Sequence, residues 1–162
     1  MSTALPLRVG IGYDSHRFGE GGPMRLGGID IPADRHCAGH SDGDAICHAV
    51  TDALLGAAAL GDIGEMFPDT DVANKGKDST VMLSAAVARL HHAGWRVGNV
   101  DITVVTQRPK IGPHRAAIRA RLAELLEVAD SDVFVKGKTN ELMGWIGREE
   151  GLAVVATATV LP

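Results

Sequence analysis

Two histidines and one carboxylate near the start of the chain have the residue types and spacing for metal chemistry. Asp14 and His16 lie two apart in the segment Val-Gly-Ile-Gly-Tyr-Asp-Ser-His, and His48 lies in the first stretch with a helical pattern. Residues two apart on an extended strand point to the same face, so one strand can present both ligands. Two imidazoles and a carboxylate suit zinc, and three protein ligands leave a fourth position for substrate. The pattern therefore predicts a catalytic metal site.

The spacing alone does not decide the third ligand, because His40 and His48 both lie close to the predicted start of a helix. Asp44 lies four residues before His48 and shares its helix face. It can therefore cap the helix or hydrogen-bond the histidine that binds the metal. For Asp42 we favour a charge that complements the helix dipole.

The composition indicates one globular domain. The chain has 162 residues, of which 45% are hydrophobic and 22% are charged. These values are typical of a domain with a substantial core, so we expect a single domain over residues 1–162. The net charge of -4, with only two Trp, one Tyr and three Phe, argues against nucleic acid as a partner.

Cysteine usage and hydropathy predict a cytoplasmic protein. Cys37 and Cys47 lie ten apart and match neither a disulfide framework nor a thiolate zinc site, so we expect two free thiols in a reducing compartment. Only Met1 to Pro6 precede the first predicted strand, which leaves no room for a targeting peptide. No apolar run approaches the ~20 residues of a membrane span, so no membrane partner is expected.

Hydrophobic periodicity predicts an α+β fold, a mixed β-sheet with a layer of helices on one face. The last strand has small and β-branched residues on both faces, so we expect its second face to be packed in an oligomer. The predicted strands cover 7–14, 100–106, 133–136 and 152–161, with a hairpin over 24–31. The predicted helices run from a Ser41 cap to about 60, from Asp78 or Ser79 to near Gly94, and from Pro113 to about 128. The long polar stretch 61–79 is predicted to be a functional or mobile loop.

A basic segment precedes the helix that begins at Pro113. Arg108 and Lys110 supply two cations beside a helix N-terminus, where a phosphate can bind, although a solvated basic turn fits about as well. The segment around Lys138 resembles the end of a P-loop. Asp132 stands where that motif needs its first glycine, so we do not assign a P-loop.

Four sequence blocks together resemble 2-C-methyl-D-erythritol 2,4-cyclodiphosphate synthases, enzymes of the non-mevalonate isoprenoid pathway. The blocks are Gly10-x-Gly-x-Asp14-x-His16, His40-Ser-Asp-Gly-Asp44 followed by His48, the stretch 51–64, and Phe67-Pro-Asp-Thr-Asp71. The resemblance extends over about residues 7–161. It implies a homotrimer with active sites between adjacent subunits.

The resemblance also implies a reaction and its cofactors. The 2-phosphate of 4-diphosphocytidyl-2-C-methyl-D-erythritol 2-phosphate attacks the β-phosphorus, expels CMP and closes a cyclic diphosphate. Such an enzyme is a cyclising phosphorus-oxygen lyase that uses Zn2+ together with Mg2+ or Mn2+. A phosphate dianion is already a nucleophile, so the reaction needs positioning and charge neutralisation more than a general base.

Residue roles follow from the same resemblance. It assigns zinc to Asp14, His16 and His48, magnesium or manganese to Glu141, and transition-state stabilisation to His40 and Thr139. Residues 62–64 and 67–71 would hold the methylerythritol part, and 106–112 with 138–140 the cytidine diphosphate, largely in the neighbouring subunit. The implied substrate contacts are Ser41, Asp62, Ile63, Gly64, Phe67, Pro68, Asp69, Thr70, Asp71, Thr106, Gln107, Arg108, Pro109, Lys110, Ile111, Gly112, Lys138, Asn140, Trp145 and Arg148.

Two other hypotheses remain open from the sequence. A zinc hydrolase could use the open metal position to activate water, with Asp44 as its carboxylate base. A trimeric scaffold could instead bind an isoprenoid diphosphate along its axis, in a cavity lined by the apolar faces of strands such as 100–106.

Overall fold

The computed structural model describes residues 7–162, so the expectation for Met1 to Pro6 lies outside the described residues. The fold is α+β, as predicted. The strands are β1 Arg8–Glu20, β2 Met24–Leu26, β3 Ile29–Ile31, β4 Arg35–Cys37, β5 Arg96–Val105, β6 Val133–Lys138 and β7 Gly151–Leu161. The helices are α1 Ala45–Ala58, α2 Ile63–Met66, α3 Ser79–His92, α4 Arg115–Leu126 and α5 Gly144–Gly147, with 3-10 turns at Val72–Asn74, Gly112–His114 and Asp130–Asp132.

Five strands form one mixed sheet in the order β4-β1-β7-β5-β6. The pairings are antiparallel except for β5 with β6, which is parallel. Strands β2 and β3 form a separate hairpin around Gly27 and Gly28, both at positive φ. The mixed sheet and the hairpin confirm the sequence-based expectations. None of the helices within residues 7–162 has the length and apolar character needed to span a membrane.

Two glycines of β1 allow α1 to lie close against the sheet. A Cβ at Gly10 would come within 2.0 Å of the Ala53 carbonyl oxygen, and one at Gly12 within 1.8 Å of the Ala49 oxygen. No larger residue fits at either position. Because alternate residues of a strand share a face, the next two residues on this face are Asp14 and His16. The glycines thus bring the end of β1 that carries Asp14 and His16 close to α1.

The opposite face of the sheet carries exposed apolar side chains. Val9, Ile11 and Tyr13 of β1 are 60%, 71% and 58% exposed. In β5 the apolar residues Val100, Ile102 and Val104 are buried in the core, and the alternate residues 101, 103 and 105 are only half-buried. The apolar face of strand 100–106 therefore packs inside the chain, contrary to the expectation that it lines an axial cavity.

The outer edge of the sheet at β6 is covered by arginines of α4. Arg115 Nε donates to the carbonyl oxygen of Val135 at 2.8 Å, and Arg119 Nε donates to that of Val133 at 2.7 Å. Phe134 lies between them, with the two guanidinium groups 5.5 and 5.4 Å from its ring. These side chains occupy two carbonyls that an edge strand otherwise leaves unpaired.

Several element boundaries differ from the expectations. Helix α1 is capped by Asp44, which accepts from the Cys47 amide, whereas Ser41 accepts from Gly43 two residues away. The predicted Ser41 cap is therefore wrong. Strand β1 runs beyond Asp14 because its polar second half pairs with β7 and then β4, and β4 itself was not predicted. The predicted loop over 61–79 contains α2 and the turn Val72–Asn74.

Candidate active site

Strand β1 and helix α1 bring Asp14, His16 and His48 together. Asp14 Oδ2 lies 3.0 Å from His16 Nδ1 and 3.2 Å from His48 Nδ1. One potential ligand atom from each residue lies within 4.8 Å of the other two. His40, the alternative third ligand, is exposed and lies on the wall of the same cleft. The geometry therefore favours His48 over His40.

The donor set at this cluster fits a divalent cation. The Nδ1 atom of His16 is buried and has no hydrogen-bond partner within the described residues. It faces the Asp14 carboxylate, which also faces Nδ1 of His48. Three converging atoms that can each offer a lone pair are the environment a metal ion satisfies, and two imidazoles with one carboxylate match zinc.

The ionisation of the cluster reflects competition between burial and charge. Burial raises the pKa of Asp14, but the close contact with His16, the hydrogen bond with His48 and the charge of both rings outweigh it, so the pKa lies below its ordinary value. Burial lowers the pKa of His48, but the hydrogen bond to Asp14 and the nearby carboxylates raise it above its ordinary value. The carboxylate and the imidazole thus stabilise each other's charged forms.

The far side of the His48 ring contacts two serines. Nε2 of His48 lies 2.8 Å from Ser79 Oγ and 3.1 Å from Ser41 Oγ. Ser79 is the first residue of α3 and is fully buried. The sequence analysis did not identify Ser79 as a site residue, because its partner lies 31 positions away and no local pattern links them. Ser41, expected to contact substrate, lies against the ring.

Asp44 does not reach the metal cluster. Its fully buried carboxylate accepts from the amides of Gly27 at 2.8 Å, Gly28 at 2.7 Å and Cys47 at 3.1 Å. Asp44 therefore ties the β2–β3 hairpin to the start of α1. A carboxylate held in this way cannot act as a water-activating base, so the assignment of that role to Asp44 is wrong.

A cleft of about 260 Å³ opens beside the metal cluster. Its lining includes several residues expected to contact substrate, namely His40, Ser41, Ile63, Gly64, Phe67 and Asp69. Asp62 and Asp71 lie near it but use one carboxylate oxygen each to cap local turns, on the amides of Glu65 and Ala73. Thr70 and Pro68 are exposed and do not line the cleft. Half of the eight residues predicted for the methylerythritol part, Ile63, Gly64, Phe67 and Asp69, therefore line this cleft.

Helix α1 also positions the floor of this cleft through Asp52. Its Oδ1 accepts the backbone N–H of Ile63 at 2.8 Å. Asp52 lies one helical turn after His48, so the two side chains lie on the same side of α1. Burial raises the pKa of Asp52, and the charge of Asp62 adds to that shift while the Ile63 amide opposes it. The sequence analysis missed this contact.

A second cleft of about 440 Å³ brings together the two segments, 106–112 and 138–140, that were predicted to bind the cytidine diphosphate. The segments are linked by hydrogen bonds from the Thr106 amide to the Lys138 carbonyl at 2.8 Å and from the Asn140 amide to Gln107 Oε1 at 2.8 Å. The predicted site residues that line this cleft are Thr106, Pro109, Lys110, Ile111, Gly112, Lys138 and Thr139. It shares no lining residue with the metal cleft in the part of the chain described.

Glu141, Trp145, Arg148 and Arg108 are among the predicted site residues that line neither cleft. Glu141 is exposed at φ 53°, and Trp145 is 40% exposed. Arg148 pairs with Glu150 at 2.9 Å, and Arg108 pairs with Glu149 at 3.2 Å. Within a single chain these residues do not converge on the metal cluster.

The fold and the site define an α+β protein with a metal-binding cluster in one cleft and basic side chains in another. The model of the YgbB family matches residues 7–161. The chain therefore belongs to the YgbB family.

Curated relatives share most of the sequence. A protein of Gemmatimonas aurantiaca named 2-C-methyl-D-erythritol 2,4-cyclodiphosphate synthase is 84% identical over 98% of this chain and 95% of its own length. A protein of Thioalkalivibrio sulfidiphilus with the same name is 55% identical over 95% of this chain and 96% of its own.

Solved structures share the fold. The CDP complex of IspF from Plasmodium falciparum superimposes with a TM-score of 0.85 at 34% identity and covers 96% of each chain. The bifunctional IspDF of Campylobacter jejuni gives a TM-score of 0.92 at 39% identity over 96% of this chain. The present chain spans 42% of that bifunctional protein.

Proposed function

We propose that this chain, as a single domain over residues 1–162, converts 4-diphosphocytidyl-2-C-methyl-D-erythritol 2-phosphate to 2-C-methyl-D-erythritol 2,4-cyclodiphosphate and CMP. The observation that carries the proposal is the cluster of Asp14, His16 and His48 at the wall of a polar cleft. Membership of the YgbB family and relatives named for this product support it.

The proposed resident metal at Asp14, His16 and His48 is zinc. A zinc ion bound there supplies Lewis acidity and a template for the attacking and accepting phosphates. The buried Nδ1 of His16 faces the Asp14 carboxylate and has no hydrogen-bond partner among the described residues, which supports a cation at this point. The exposed carboxylate of Glu141 would hold magnesium or manganese, which prefer oxygen ligands and few protein side chains.

The protein's own groups hold the substrate in line for an intramolecular attack. Ile63 and Gly64, fixed by Asp52, border the place proposed for the methylerythritol part. Lys110 and Lys138 in the second cleft offset the charge of the diphosphate, and the CDP complex of the Plasmodium falciparum relative supports a nucleotide there. His40 and Thr139 would donate to oxygens that gain charge as CMP leaves.

We further propose that the active protein is a homotrimer. The metal cleft and the basic cleft share no lining residue within the described part of one chain. One substrate can therefore contact both kinds of cleft only if a second copy places its basic cleft beside the metal cleft of the first. The exposed Val9, Ile11 and Tyr13 supply an apolar face for that contact.

Phosphorus NMR of the purified protein with the CDP-linked 2-phosphate substrate and magnesium tests the reaction, with and without prior zinc removal. We expect cyclic diphosphate and CMP to appear together and only with metal. His16→Gln should abolish turnover, and His92→Gln, an exposed histidine on α3, should leave it unchanged. Intact substrate with fully metallated trimer would refute the proposal. Incorporation of solvent oxygen at the broken bond would favour the hydrolase.

A further inference from the structure

We infer that Ser79, oriented by Asp42, is a positioning residue that holds a proton on Nε2 of His48 and so leaves Nδ1 as the nitrogen that binds the metal. This inference rests on the metal site of the proposed function. It concerns two residues to which neither the sequence nor the family resemblance assigned a part in that site.

The Ser79 hydroxyl has a single proton to donate. Ser79 Oγ makes a short hydrogen bond to Asp42 Oδ1, and the Ser79 amide donates to Asp42 Oδ2 at 3.0 Å. The Asp44 amide donates to Asp42 Oδ1 at 3.2 Å, so each oxygen of this carboxylate already accepts a backbone N–H. An ionised carboxylate only accepts hydrogen bonds, so Ser79 must donate its proton to Asp42.

The contact of Ser79 with His48 then determines which nitrogen of that ring carries a proton. Ser79 Oγ lies 2.8 Å from His48 Nε2, and with its proton committed to Asp42 it can only accept there. Nε2 must therefore carry the hydrogen. Ser41 Oγ, 3.1 Å from the same nitrogen, is a second acceptor for that N–H. In a neutral imidazole the other nitrogen, Nδ1, has a lone pair.

That lone pair points at the metal position. Nδ1 of His48 lies 3.2 Å from Asp14 Oδ2, and Nδ1 of His16 lies 3.0 Å from the same oxygen. Three electron-rich atoms that face one another in this way repel unless a proton or a metal ion lies between them, and a bound metal takes the place of the proton. A hydrogen bond on the far nitrogen commonly sets which nitrogen of a histidine binds metal. Here the setting group is a serine at the start of α3.

The place of Ser79 in the fold holds its contacts with Asp42 and His48 in a fixed geometry. Ser79 is fully buried, and it begins a helix of fourteen residues. Its bond to Asp42 joins α3 to the segment that also carries His40 and Ser41. The orientation of the His48 ring therefore depends on how α3 docks, although α3 supplies no metal ligand.

Zinc titration and histidine NMR test the inference without substrate. In zinc-loaded protein labelled with nitrogen-15, we expect His48 to show a slowly exchanging proton on Nε2 and metal coordination at Nδ1. Ser79→Ala should weaken zinc affinity by roughly 10- to 100-fold and speed exchange of the Nε2 proton. Ser84→Ala, at an exposed serine of the same helix, should change neither.

A double-mutant cycle tests the part played by Asp42. Asp42→Ala should weaken zinc affinity less than Ser79→Ala does, and the double variant should bind zinc no worse than Ser79→Ala alone, because both act through one hydrogen bond. Strictly additive losses would refute the role of Asp42.

Two results would overturn the inference as a whole. One is zinc on Nε2 of His48 in the wild-type protein, a measurement that stands even if Ser79→Ala fails to fold. The other is folded Ser79→Ala with zinc affinity within twofold of wild type. Because neither measurement uses substrate, they remain decisive if the proposed reaction fails.

Discussion

The carboxylate of Asp52 accepts the backbone N–H of Ile63 at 2.8 Å, and this hydrogen bond ties α1 to the first residue of α2. Since His48 lies on the same side of α1, one helix positions both a proposed metal ligand and the segment proposed to hold the methylerythritol part. Removing that bond should loosen substrate binding more than it disturbs the metal.

Replacement of Asp52 tests this separation. Asp52→Ala should raise KM by roughly tenfold, which corresponds to loss of one charge-assisted hydrogen bond, with a smaller change in kcat and unchanged zinc content. Asp52→Asn keeps an oxygen that can accept from the Ile63 amide and should restore much of the affinity. Steady-state kinetics measures kcat and KM of each variant, and metal analysis measures its zinc content. Loss of zinc in Asp52→Ala, or no recovery in Asp52→Asn, would contradict a role limited to α2.

The glycines of β1 give a prediction about stability. Gly12→Ala should destabilise the fold by more than about 2 kcal/mol, because its Cβ would lie 1.8 Å from the Ala49 carbonyl oxygen and α1 would have to move. Gly56→Ala is the matched control, since a Cβ there meets nothing within 4 Å. In the middle of a helix that change should stabilise by about 0.5–1 kcal/mol. Urea unfolding measures both, and equal effects would refute the close-packing argument.

The cap of α3 gives a prediction about pH. Burial raises the pKa of Asp78, but hydrogen bonds from Thr80 and the charges of Arg25 and Arg121 lower it below its ordinary 3.8. A lowered folded pKa means that the ionised form stabilises the fold above about pH 4 and that this contribution is lost as the pH falls through the lower folded value.

Two Asp78 variants separate the cap from its charge. Asp78→Ala should cost about 1 kcal/mol near neutral pH, as expected for loss of an N-cap. Asp78→Asn keeps an acceptor for the Thr80 amide and should cost less, with a shallower fall in stability below pH 4. Thermal unfolding from pH 3 to pH 7 measures these differences. Identical pH profiles for wild type and Asp78→Asn would be inconsistent with the charge having any effect.

The open face of the sheet gives a prediction about assembly. Ile11→Glu places a charge in the most exposed of the three apolar side chains on β1, at 71% exposure, and should dissociate the proposed homotrimer. Light scattering measures the molecular mass of the protein in solution and so distinguishes a trimer from a single chain. Val72→Glu, at an exposed apolar residue far along the chain in a 3-10 turn, should leave the mass unchanged. A trimer that survives Ile11→Glu would place the contact elsewhere.

Local patterns were sufficient to predict the metal cluster only in part. The two-residue spacing of Asp14 and His16 predicts that they share a face, because strand geometry alone orients both side chains. The Gly27-Gly28 turn and the Asp78 cap are likewise predictable, because each involves residues only a few positions apart in the sequence. Asp44, in contrast, bonds the Gly27 and Gly28 amides seventeen and sixteen residues away, so its role depends on tertiary packing.

The missed features have the same origin. The contact of Ser79 with His48 spans 31 residues and that of Asp52 with Ile63 spans 11, and neither leaves a periodic signal. The second half of β1 is polar, so pairing with β7 and β4 rather than burial makes it a strand. Single-sequence patterns report local geometry and burial, and they carry no information on such pairings.

The arginines that cover β6 also affect how copies of this chain can meet. An uncovered edge strand invites a second chain to extend the sheet, and that mode of growth has no natural end. With the carbonyls of Val133 and Val135 already bonded to Arg119 and Arg115, this edge offers a poor template for such polymerisation. The proposed homotrimer would use the broad face of the sheet instead, and a closed ring of copies leaves no such surface open for further growth.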